Sequence, residues 1–306
     1  MKATSHILKN KLKIILSEDN SNPLVSLQLF VRIGSAWEKK NEAGYSHFTE
    51  HLVFKSTKKF PQNSIMERIT YLGGSINAYT EYDSTCFFVT MQSGFLEEGI
   101  EILSELVMHA NYDVSAFEFE KNVVIEELKQ FKNDPEDFFI DEIANEYFRK
   151  NPYKFPIIGN KNSLKDASLE SLRLFYKNYY LPNNSFLVVS GDFEEDNVLR
   201  LIEKYFGSWK QKEITKADLI KDKLPAKPAI FSIEKKISND MLAFVLPDIA
   251  ESNADSYPLS LAMKAFAIGK NSRLHSRLFD KEQLTDNIKV HSLCGINDGA
   301  AIILIM

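Results

Sequence analysis

The run His47-Phe48-Thr49-Glu50-His51 restricts this chain more than any other segment. Two imidazoles at i and i+4, with a carboxylate between them, act together only on a helix, where 3.6 residues per turn brings all three to one face. Gly44 opens the segment, and a helix is expected from Tyr45 to Phe54. Two neutral imidazoles so spaced can coordinate one Zn²⁺ in cis, while the carboxylate can reach a water beside the ion without ligating it. The rival for the same residues is a histidine pair that packs or caps a helix with no metal. A catalytic zinc centre takes three protein ligands and keeps one position open, so a third His, Asp or Glu has to come from elsewhere in the chain.

At 306 residues the chain exceeds one typical core, and two domains are expected: 1–210, a linker over 211–228, and a second domain over 229–306. Hydrophobic residues at 44% and charged residues at 26% are the balance of a soluble globular protein. The net charge is −5 and the basic residues are scattered, which argues against nucleic acid as a partner. No apolar stretch reaches the roughly 18 residues that span a bilayer, and the first ten residues hold no leader-like apolar run, so a cytoplasmic protein without membrane contact is expected. Cys86 and Cys294 lie far apart in strand-like segments and read as two small buried side chains rather than a disulfide framework.

The remaining periodicities are those of an α+β protein. Val25, Leu27, Leu29, Val31 and Ile33 alternate as in a half-buried strand, with 12–16 as a shorter partner before it. Ser64 is a plausible cap for a helix ending at Gly73-Gly74, and 75–79 and 84–91 form two strands followed by a helix over 95–109. Ser115 is expected to cap a long helix that breaks at Asp134-Pro135, and helical patterns return at 138–148, 169–179 and 198–206, with a strand at 185–190. In the second half, strands are expected at 230–234 and 242–246 and a helix at 254–268. The apolar run Ala300–Met306 is a strand with nothing after it to cover its sheet, so the second domain reads as incomplete.

These features together resemble the inverzincin metallopeptidases of the pitrilysin, insulin-degrading enzyme and mitochondrial processing peptidase family, and within it the bacterial processing-peptidase-like members. That family carries a glutamate ligand about 76 residues after its second histidine, and Glu127 stands 76 residues after His51. Gly73-Gly74-Ser75-Ile76-Asn77-Ala78-Tyr79-Thr80, with Asp83 and Thr85, is similar to the family's glycine-pair and Asn-Ala strand. Outer matches are Asn151-Pro152-Tyr153 with Pro156 and Gly159, and Tyr180-Leu181-Pro182-Asn183-Asn184 leading to Gly191-Asp192.

The resemblance implies one zinc per chain held by His47, His51 and Glu127, with Glu50 as the catalytic base of a zinc endopeptidase. Glu126 competes with Glu127 but lies about 100° away around the same helix. Glu120, two turns before Glu127, would orient a ligand or add negative charge; its plain alternative is an exposed helix carboxylate. Asn77 and Ala78 would lie on an edge strand to which a peptide adds as a further strand, whereas a turn-forming Asn is the bland reading of Asn77. The implied fold is α+β: two homologous domains, each an antiparallel-rich sheet with helices on one face.

The sequence departs from the family at one place. Many members carry an arginine and a tyrosine, seven residues apart, near the oxyanion of the reaction, whereas Phe279 and Asp286 stand at those positions here. A homologous subunit supplying the pair, or a homodimer, is therefore expected as partner besides the peptide substrate. The rival functions are a non-catalytic assembly subunit of a processing-peptidase-like complex and a metal-dependent hydrolase of small molecules.

Overall fold

The computed structural model describes residues 3–62, 64–214, 219–220, 222 and 227–306. Its strands are β1 (Ala3–Ile7), β2 (Lys13–Glu18), β3 (Leu24–Val31), β4 (Ser75–Thr80), β5 (Thr85–Gln92), β6 (Ser185–Gly191), β7 (Leu242–Asp248), β8 (Ile288–Leu293) and β9 (Gly299–Ile305). The helices are α1 (Tyr45–Val53), α2 (Ser64–Tyr71), α3 (Leu96–Met108), α4 (Val114–Asn133), α5 (Pro135–Tyr147), α6 (Lys161–Asp166), α7 (Leu169–Tyr179), α8 (Glu195–Phe206) and α9 (Ser256–Ala267). The fold is α+β, in two compact units: Met1–Gln130 with Pro156–Ala217, and Phe131–Phe155 with Asp218–Met306.

The first unit is a six-stranded sheet in the order β1-β2-β6-β3-β5-β4, in which only β2 and β6 run parallel. The alternation along β3 sends Val25, Leu27, Leu29 and Val31 into the core, where they meet Phe48 and Leu52 of α1, Ile100 and Leu103 of α3, and Phe175 of α7. Ser26, Gln28 and Phe30, on the other face, are only half-buried. Strand β4 is an outer strand, registered against β5 so that Asn77 faces Phe88 and Thr80 faces Thr85.

The second unit holds a three-stranded antiparallel sheet, β7-β9-β8. Its middle strand is the apolar terminal run, buried along nearly its whole length. Two local interactions tie 131–155 to this unit rather than to the first domain expected over 1–210. Glu136 of α5 pairs with Lys289 at 2.6 Å and His291 at 3.1 Å, both on β8. The Asp222 carboxylate accepts from the amides of Arg149, Lys150 and Asn151. Half of the expected linker over 211–228 lies outside the described residues.

Several local expectations need correction. The segment 230–234 is not a strand: Ile230 is fully exposed and no strand among the described residues pairs with it. The cap of α4 is Asp113, whose carboxylate accepts from the Ala116 amide at 2.8 Å and the Ser115 hydroxyl at 2.6 Å; Ser115 itself lies inside the helix. Helix α5 starts at Pro135, earlier than the apolar pattern implied, because proline suits the first helical position and Asp134 accepts from the amides of Glu136 and Asp137. Cys86 is buried on β5, but Cys294 lies just past β8, half-buried, with its thiol donating to the Ile249 carbonyl at 2.9 Å.

The start of α1 is held from outside the helix. Gly44, the N-cap, has φ 91° and offers no side chain to the free amides. Its close neighbour is Gly159, where an added Cβ would lie 2.4 Å from the Ala43 carbonyl oxygen, so both positions require glycine. Glu38 takes the missing capping role: one carboxylate oxygen accepts from the Gly44 amide at 2.7 Å and the other from the Ser46 amide at 2.6 Å. Burial pushes the Glu38 carboxyl up to about 8, against the pull of these two donors. Above a pH of about 8, where Glu38 is ionised, Glu38→Gln would turn an NH₂ group toward one of the amides, and is expected to cost about 2 kcal/mol. For a unit of this size that is a fall in Tm of about 4–8 °C, read by thermal denaturation.

Candidate metal centre

Helix α1 is amphipathic in an unusual sense: Phe48, Leu52 and Val53 go to the core, while His47, Glu50 and His51 share the half-buried side. Helix α4 lies against it through a stacked pair, Phe48 on Phe117, with ring centroids 5.6 Å apart. That contact sets the register in which one face of α4 presents Glu120 and Glu127 to the two histidines.

The Glu127 carboxylate oxygen Oε2 lies 3.5 Å from His51 Nε2 and 4.0 Å from His47 Nε2. One ligand atom from each residue falls within 4.8 Å of the others, and no other such group of His, Cys, Asp and Glu occurs among the described residues. Around a tetrahedral ion with bonds near 2.1 Å the donors stand about 3.4 Å apart, so small side-chain movements bring these three atoms to a zinc ion. Glu126, the competitor, is exposed and paired with Lys129 at 2.5 Å.

Glu120 is buried, 2% exposed, which rules out the exposed-carboxylate reading. Its Oε2 lies 3.2 Å from His51 Nδ1, and its Oε1 2.7 Å from the Lys55 ammonium. Burial would raise the Glu120 carboxyl, but the contacts with His51 and Lys55 outweigh it and hold it below its usual value. A histidine whose Nδ1 is engaged by a carboxylate presents Nε2 to a metal in a fixed orientation. Glu50 accepts a hydrogen bond from the Thr80 hydroxyl at 2.5 Å. Burial raises the Glu50 carboxyl, partly offset by Thr80 and His51.

The two histidines titrate differently. Burial, then the charge of His51, lowers His47 to about 4. Burial also acts to lower His51, but Glu120, Glu127 and Glu50 together leave it raised. A metal therefore competes with protons for both imidazoles, for His51 at higher pH than for His47. As pH falls below the raised His51 value, apparent zinc affinity is expected to drop about tenfold per unit, and more steeply below about 4 where His47 also protonates. Zinc titrations with a competing chelator across this range, together with the count of released protons, check the slope.

The structure brings His47, Glu50, His51, Glu120 and Glu127 together. It does not bring the Asn77 side chain to them: Asn77 is exposed on β4, accepts from the Ala78 amide at 2.9 Å, and points to the opposite sheet face from Ala78 and Thr80. Sequence reasoning missed Glu38, Lys55 and Thr80. Lys55 had a usable signal, since it stands four residues after His51 at helical spacing.

The comparisons with known proteins agree with this architecture. Residues 13–161 match Insulinase (Peptidase family M16), and residues 166–304 match the Peptidase M16 inactive domain. The chain belongs to peptidase family M16. It is 26% identical over 297 residues to the zinc protease PqqE of Helicobacter pylori, covering 95% of this chain and 67% of that protein. It is 28% identical over 204 residues to the zinc protease YmxG of Bacillus subtilis, covering 67% of this chain and 50% of that one. The crystal structure of a protease from Helicobacter pylori superposes with a TM-score of 0.86 at 25% identity, covering 99% of this chain and 74% of that one. The chain spans about half the length of the first curated relatives it matches. Among the described residues no helix is long and apolar enough to cross a membrane.

Proposed function

We propose that this chain carries the metal centre of a zinc endopeptidase that cleaves peptides or unfolded polypeptide segments. The observation that carries the reading is the convergence of His47, His51 and Glu127 with a half-buried Glu50 beside them. These three residues would hold one zinc ion, which when bound acts as a Lewis acid toward water and the peptide carbonyl.

Glu50 has one carboxylate oxygen occupied by Thr80, and the other is free to take the proton of the attacking water and return it to the leaving nitrogen. Burial, which raises its pKa, brings it nearer the range in which a carboxylate can both accept and release that proton. Glu120 and Lys55 keep His51 oriented. The outer strand β4 is where an extended peptide would add main-chain hydrogen bonds, with Asn77 and Ala78 alongside it.

Phe279 and Asp286 offer neither a cation nor a phenol, and an oxyanion donor is worth about 3–4 kcal/mol. The missing pair would come from a homologous subunit, since a second copy of this chain would carry the same Phe279 and Asp286. The same two positions, with the match of 166–304 to an inactive domain, favour the second reading, a non-catalytic assembly subunit. Zinc content by elemental analysis and cleavage of an unfolded polypeptide, with and without chelator, separate the two. Stoichiometric zinc and chelator-sensitive cleavage are expected; a chain that binds no zinc at neutral pH sinks the peptidase reading.

A further inference from the structure

We infer that Thr80 is a positioning residue for Glu50: it holds one carboxylate oxygen, so that the other alone carries the proton of the reaction. The inference rests on the peptidase reading above and assigns a task to each oxygen of its base.

The number of available protons fixes which hydroxyl donates to which oxygen. A threonine hydroxyl has one proton to donate. The Thr85 hydroxyl spends its proton on the Ile33 carbonyl at 2.9 Å, in a fully buried setting. Thr85 therefore presents only lone pairs to Thr80, whose hydroxyl lies 3.5 Å away. The Thr80 proton has Glu50 Oε2 at 2.5 Å as the far better acceptor, a length typical of a hydroxyl bonded to an ionised carboxylate.

Thr80 itself is fixed by its surroundings. It is the last residue of β4, paired in register with Thr85 of β5. Its β-branched side chain has few rotamers in a strand. The period of two that turns Asn77 away from α1 turns Thr80 toward it. The base on α1 is thus tethered to the strand whose outer edge would receive the peptide, and ordering of that strand by a bound segment would also order the carboxylate.

The test compares Thr80→Val, which removes the donor at nearly constant shape, with Thr80→Ser, which keeps it. In zinc-loaded protein acting on an unfolded polypeptide, Thr80→Val is expected to lower kcat about tenfold to a hundredfold, with KM and zinc content unchanged. Thr80→Ser is expected to recover most of the rate. Crystal structures of both variants supply a readout independent of activity: the Glu50 carboxylate leaves its position in Thr80→Val and stays in Thr80→Ser. Wild-type kcat in Thr80→Val, equal loss in both variants, loss of zinc along with kcat, or an unmoved Glu50 in Thr80→Val each overturns the inference. A wild-type chain that binds zinc but cleaves nothing overturns the peptidase reading instead, and the crystallographic comparison still decides what holds Glu50.

Discussion

Glu50→Gln is expected to keep its zinc and lose peptide cleavage, with kcat down by about 10³-fold. The amide has nearly the size and shape of the carboxylate, and its carbonyl oxygen can still accept from Thr80, so the side chain stays where the structure places it. What it cannot do is take a proton from water at neutral pH. None of the three candidate metal-binding side chains is altered, so zinc per chain should match the wild type by elemental analysis. Wild-type turnover in this variant, with contaminating protease excluded, would remove Glu50 from the mechanism. Unchanged zinc with unchanged turnover would point to a different base; an inactive wild type with full zinc would point to the assembly-subunit reading.

The second large effect concerns the remote ligand. Glu127→Gln should lower zinc affinity by more than the roughly hundredfold limit seen when a partner behind a ligand is changed, because it removes an anionic donor from the ion itself. Glu126→Gln, one residue away on the same helix, is the control: its carboxylate is exposed and paired with Lys129, and its affinity should equal the wild type. Isothermal titration with zinc against a chelator of known strength reads both. Equal losses at 126 and 127 would mean that the effect is one of overall charge near the site rather than of coordination. His51→Ala should resemble Glu127→Gln.

Much of this site could be read before any coordinates because its parts are local. Helical period alone places His47, Glu50 and His51 on one face and sets Glu120 and Glu127 on one face of a second helix. Proline and alternation gave the break at Asp134-Pro135 and the inward face of β3. The misses have a common cause. The segment 230–234 has strand-like residues, but a strand needs a neighbour, and none of the described strands pairs with it. Strand β8 alternates only from Ile288 to His291 before Ser292 breaks the pattern, too short a signal to stand out, yet pairing with the apolar β9 makes it a strand. Glu38 looks like one more charge in a polar stretch until the chain folds back and its carboxylate meets two helix amides.

The sequence by itself determined the kind of chemistry available: which side chains can bind a cation, which can carry a proton, and which of them share a face, since these depend on residue type and a fixed backbone period. Only the tertiary structure decided that the two faces meet. The Phe48–Phe117 stack sets helix against helix and brings the Glu127 oxygen to within 3.5 Å of His51, and the β4–β5 register delivers the Thr80 hydroxyl to Glu50. Contacts between segments so far apart in the chain arise from close packing of a shared core, and no local pattern encodes their distances.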